Sequence, residues 1–288
     1  MASLYADELI TEVRADTATI ARILSHGIHT YDLPHATPVD FSHIFPGPFD
    51  EDRTIDVLSI ATLHRTEALD SFTYSNATPD PRSVLSALMR YFPDVWCLTE
   101  SMRRAGAAGN IRLNMKGSLS FSWTSVLDNV SRSGIWSNQT FVFEIIQVLT
   151  HYGLQHSNVA SNLAATGDHV SASKILKKGA GILKYVLTNL LPKWQSKPKN
   201  IPLECEPYVL DGIARIMLCQ SQSMAIAKVL SDPIKCLSFP PATLAKLFHG
   251  CKELMDNAAA SLRRLPKIIF ARVDTELLGK HMHIHIYI

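Results

Sequence analysis

Three histidines near the end of the chain, His281, His283 and His285, alternate with apolar residues. On a strand they would point to one side, a geometry able to ligate a metal ion. A single alternating triplet in a short tail is better read as chance, so no metal is expected there. His151 and His156 stand five apart, too far round a helix to share a ligand comfortably. Cys97, Cys205, Cys219, Cys236 and Cys251 form no CxxC pair. Their odd number and wide spacing suit reduced, mostly buried thiols rather than a disulfide framework or a zinc site. Cys219 reads as a small core residue, not a nucleophile. The nucleophile-elbow, HExxH and phosphate-loop patterns are absent, and Ala180-Gly181 reads as a site of close helix packing. The sequence therefore predicts no enzyme and no cofactor.

Two further groups could recognise a partner. Gln220 and Gln222 stand two apart and must point to different faces of a helix, and one of them reads as a buried amide satisfied by a neighbouring helix. Between Asp168 and Glu204 no acidic residue occurs, while Lys174, Lys177, Lys178, Lys184, Lys193, Lys197 and Lys199 add seven positive charges. Such a face could hold an anionic membrane surface, and the alternative reading is an ordinary solvated helix and loop. Stacking aromatics are too few for nucleic acid.

The elements that carry these residues are mostly helical. Leu9, Ile10, Val13, Thr17, Ile20, Ile23 and Leu24 recur at helical spacing over residues 7–25, ended by Gly27. The four prolines from Pro34 to Pro48 predict an extended surface loop. A second helix is expected over Thr54–Phe72, a third over Ser83–Phe92 stopped by Pro93, and another from there to Arg104. The alternation in IRLNMKG and SLSFSW predicts a β-hairpin over 111–124, turning near Lys116 and Gly117. Four long helices follow: one capped by Ser137 or Asn138 with a stripe from Phe141 to Leu163, one started by Asp168 or Ser171 and ended by Pro192, one beginning near Pro207, and one over Thr243–Leu262. Each is amphipathic, so they must bury their stripes against one another in an antiparallel array.

Composition fits that reading. Apolar residues make up 47% and charged residues 19% of the 288, which argues for a globular chain. A balance of +2 gives no whole-chain hint of nucleic-acid binding. The start MASLYADELITEV lacks the pattern of a secretory signal, and no apolar run is long enough to span a bilayer. A cytoplasmic protein is expected. The organisation expected is one helical domain over 1–265, comprising N-terminal helices (1–110), the hairpin (111–124) and a helical array (137–265), followed by an atypical tail (266–288).

Between Leu119 and Leu265 four motifs occur in sequence: Phe121-Ser122-Trp123, Phe143-Glu144, the run from Lys178 to Val186 that reads KGAGILKYV, and Met217-Leu218-Cys219-Gln220-Ser221-Gln222 followed by Ala227-Lys228. In kind, order and spacing they resemble the Bro-one domain family of Alix, BROX and rhophilin relatives, its BROX-like members most of all. The resemblance implies a mainly α fold, a tetratricopeptide-like helical solenoid with a small β-hairpin. It also implies a non-enzymatic adaptor that is peripherally endosomal and seats the C-terminal helix of an ESCRT-III subunit in an apolar groove. A helical module for a non-ESCRT partner is the alternative. Carried over, the partner-binding groove comprises Ala225, Thr243, Leu244 and Leu247. Alix-type domains have a Phe and an Ile where this chain has Ala225 and Thr243, so large anchors are lost. The family continues through further helices, whereas this chain passes into KHMHIHIYI, and a truncated product is expected.

Overall fold

The computed structural model describes residues 16–45, 51–73, 79–107, 119–127, 134–195 and 197–265. The histidines of the tail, the first arm of the expected hairpin and the start of the first helix lie outside these residues. What is described is mainly helical, with one two-stranded antiparallel sheet. The helices are α1 (residues 16–26), α2 (Phe41–Ile44), α3 (Glu51–Asp70), α4 (Pro81–Ala107), α5 (Phe141–Ala165), α6 (His169–Tyr185), α7 (Pro207–Leu230), α8 (Pro233–Ser238) and α9 (Pro241–Leu262). The strands are β1 (Phe121–Thr124) and β2 (Ile135–Asn138).

The chain forms two compact units, each drawn from segments far apart in sequence. One takes in the described residues up to Tyr31, His156–Gly181 and those from Tyr208 onward; the other takes in Asp32–Gln155 and Ile182–Pro207. α5 and α6 each contribute residues to both.

In the second unit β1, the part of the expected hairpin that lies among the described residues, has neighbours on both edges. β1 pairs with β2, Trp123 opposite Trp136 and Phe121 opposite Asn138. The short alternation in Ile135–Asn138 gives little periodicity to detect. Residues 35–37 flank β1 on its other side, where the Thr124 amide donates to the His35 carbonyl (2.8 Å) and the Thr37 amide to that of Ser122 (3.0 Å). Over its described residues the proline-rich segment is thus anchored as well as exposed: Pro34, Val39 and Phe41 are buried, while His35, Thr37, Pro38 and Asp40 are exposed. Pro93 does not stop a helix either, because α4 runs through it. Proline interrupts one backbone hydrogen bond, but Pro93 is solvent-exposed while Leu88, Tyr91 and Val95 beside it are buried. Burial along the inner face offsets the local cost.

α5 departs from a single stripe. Every residue from Phe143 to Ser157 is buried, a helix enclosed all round. Glu144 is its only acidic or basic residue apart from histidines. The remaining polar residues are amides, hydroxyls and imidazoles, which can be buried when hydrogen-bonded. Its cap is Thr140, whose hydroxyl accepts from the Phe143 amide (3.3 Å), and Asn138 braces Thr140 from the strand. At the far end of α6 the helix loosens into a π turn over Val186–Leu190 and a 3-10 turn over Leu191–Lys193, as Pro192 dictates.

Candidate functional site

Two constellations stand out, one sealed and one open. The sealed one lies in the second unit and is centred on Glu144. Its carboxylate accepts from Arg65 Nε (2.9 Å), Tyr91 Oη (3.0 Å) and Trp123 Nε1 (2.7 Å). Arg65 also donates to the Thr37 carbonyl (2.5 Å) and lies over the Phe121 ring, 5.7 Å from its centroid. His151 stacks on Trp123 with centroids 5.3 Å apart, and Ser125 donates to Glu204 (2.5 Å). All these residues except Thr37 are buried. Burial pulls the Arg65 guanidinium down, but Glu144 and Tyr91 together more than offset it and hold Arg65 above its ordinary value. Burial, then the same carboxylate, pushes Tyr91 well up. Burial alone pulls His151 down to about 3, so it stays neutral. Trp123 and Glu144, which belong to two separate sequence motifs, are therefore one hydrogen-bonded pair. An ion pair this deep is costly to desolvate and more costly to break, so its work is to fix the positions of α3, α4, α5 and β1.

The sequence held a signal for Arg65 that the helix pattern alone did not exploit. Leu58, Ala61, Arg65, Ala68 and Phe72 fall on one buried stripe of α3 and the turn that follows it, so a cation occupies a core position. Such a cation requires a buried anion.

The open constellation lies in the first unit, where α7 and α9 run antiparallel. At one end Ser261 Oγ donates to Asp211 (2.9 Å) and the Leu262 side chain fills the space over Gly212, 2.6 Å from where a Cβ would stand. Midway, Cys219 Sγ faces the Cys251 carbonyl (3.4 Å); the Cys251 contact and burial push the Cys219 thiol up, as suits a core residue. Further along, Gln222 Nε2 donates to the Leu247 carbonyl (2.5 Å), and Gly250 leaves room for that amide. Gln220, on another face, is buried and donates to the Gly27 carbonyl (3.2 Å). Both glutamines thus tie α7 to neighbouring backbone. Ala225 lies about one turn beyond Gln222 on α7, and Leu244 about one turn before Leu247 on α9. Ala225 and Thr243 are exposed and Leu244, Leu247 and Phe248 half-buried. Lys228 on α7 and Lys246 on α9 are exposed.

All seven expected lysines are exposed. Lys174, Lys177 and Lys178 lie on α6 in the first unit, whereas Lys184, Lys193, Lys197 and Lys199 belong to the second. Ala180 is buried as expected, but Gly181 is not a packing contact: a Cβ there would meet nothing within 4 Å. Among the described residues no group of three His, Cys, Asp or Glu side chains could hold a metal, and no helix is long and apolar enough to cross a membrane.

A family model described as BRO1-like domain matches residues 64–288. The solved structure described as "ALIX BRO1 CHMP4C complex" superposes with a TM-score of 0.65 at 18% identity, over 88% of this chain and 69% of that one. A second, "Structure basis for endosomal targeting by the Bro1 domain", gives 0.61 at 16% identity, over 83% of this chain and 62% of that one. No curated protein sequence matches.

Proposed function

Because the chain belongs to the BRO1-like domain family, whose members act as protein-interaction modules, we propose that it is a non-enzymatic adaptor seating a helix of an ESCRT-III subunit. It would act at the endosome, as a peripheral cytoplasmic protein, in multivesicular-body sorting or membrane remodelling. The observation that carries this reading is the α7–α9 ledge. There Gln222 ties α7 to the Leu247 carbonyl of α9, and exposed Ala225 with half-buried Leu244 and Leu247 is read as the adjoining apolar surface. An amphipathic helix can lay its apolar face on such a ledge, and Lys228 and Lys246 favour acidic residues along its edges. The neighbour solved with CHMP4C supports an ESCRT-III subunit as the partner class.

Ala225 and Thr243 shape the affinity. Neither fills a pocket as a large apolar anchor would, so binding energy rests on Leu244 and Leu247. The same two residues favour a second reading, a helical module whose partner is not an ESCRT-III subunit. Titrating the full chain with the C-terminal helix of CHMP4C decides between them. The first reading expects saturable binding that Leu247→Asp weakens by more than about tenfold, the scale of losing one hot-spot contact. Absence of binding at high micromolar peptide would favour the second.

A further inference from the structure

We propose that α8 is a membrane-contacting tip that inserts two apolar side chains into the surface of an anionic bilayer. Ile234 is 74% exposed and Leu237 60% exposed. They stand three apart on a six-residue helix and so project from one side of it. Exposure this high means that the pair stands proud instead of lining a hollow. A partner helix needs a groove with walls, whereas a fluid bilayer surface receives a protruding apolar pair.

The tip is ordered in advance. Asp232 caps it by accepting from the Lys235 amide (3.2 Å), its last turn closes with the Phe239 amide on the Cys236 carbonyl (3.3 Å), and Pro240 and Pro241 follow. Little conformational freedom is therefore lost on contact.

The charges around the tip select the kind of surface. Lys235 lies on α8 itself and exposed Lys228 on the last turns of α7. Lys228 is also within electrostatic reach of Asp168 and His169 at the start of α6. That end of α6 continues into half-exposed Val170 and exposed Lys174 and Lys177. Of the acidic residues here, Asp168 caps α6 on the Ser171 amide, while Asp232 caps α8 on the Lys235 amide and also pairs with the Lys235 ammonium (2.9 Å), so the positive charge of the patch rests mainly on Lys228, Lys174 and Lys177. Apolar side chains projecting among lysines match an anionic lipid headgroup layer over its hydrocarbon edge.

Co-sedimentation of the full chain with vesicles tests this, comparing phosphatidylcholine alone with phosphatidylcholine containing phosphatidylserine. Binding is expected only to the anionic vesicles. Replacing both Ile234→Asn and Leu237→Asn should cut partitioning by about tenfold or more, since the pair supplies the buried apolar area, with thermal melting unchanged. Lys228→Ala with Lys235→Ala should weaken binding most at low salt. A double Asn variant that sediments like the unaltered chain would overturn the proposal, as would failure of the unaltered chain to bind anionic vesicles. Loss of CHMP4C-helix binding by the double variant with vesicle binding intact would assign the tip to a protein partner and overturn it equally.

Discussion

Arg65 shows how much one side chain can decide. It is closed to solvent, bonded to Glu144 and to the Thr37 carbonyl, and lies beside Tyr91 and Trp123 through the carboxylate they share. Arg65→Met keeps bulk but leaves the Glu144 charge buried with two neutral donors. Breaking a buried pair from one side costs about 3–5 kcal/mol, so urea denaturation should show a loss of that size. Glu144 was legible in the sequence as part of a motif carried by the family resemblance. Arg65 and Tyr91 were not, although an arginine in register with Leu58, Ala61 and Ala68 is the mark of a buried cation. Periodicity reports which face a residue occupies, and it says nothing of which distant group answers its charge.

At the scale of elements, glycines in the helices sort by what surrounds them. Gly212 on α7 is covered by Leu262, whose Cγ lies 2.6 Å from where a Cβ would be. Gly212→Ala overpacks a filled contact and should destabilise by about 1–3 kcal/mol. Gly181 on α6 faces open space, so Gly181→Ala should stabilise by about 0.5–1 kcal/mol through helix propensity. Thermal melts of the two variants check both signs. The long helices were readable because each carries a sustained apolar stripe between strong punctuation: Asp168 before α6, Pro192 after it, Pro207 opening α7 and Pro240 before α9. Three features escaped that method. α4 runs through Pro93 because burial along its inner face outweighs one lost hydrogen bond. β2 is four residues long, too short for alternation to register. α5 is buried all round, signalled only by its near lack of formal charge.

For the whole molecule, the ledge between α7 and α9 carries the functional argument, and its residues came from a resemblance, not from any periodic pattern. Sequence spacing alone could not pair α7 with α9; their antiparallel register is set by Asp211 with Ser261, Cys219 with Cys251, and Gln222 with Leu247. The lysines were equally visible in the sequence, yet their grouping was not, since they divide between two compact units. The most direct test of the ledge as the partner-binding surface is hydrogen exchange of the full chain with and without the CHMP4C C-terminal helix. Slowed exchange confined to residues 222–230 of α7 and 241–250 of α9 is the predicted result. Protection centred on α3 and α4, or none at saturating peptide, would contradict the account.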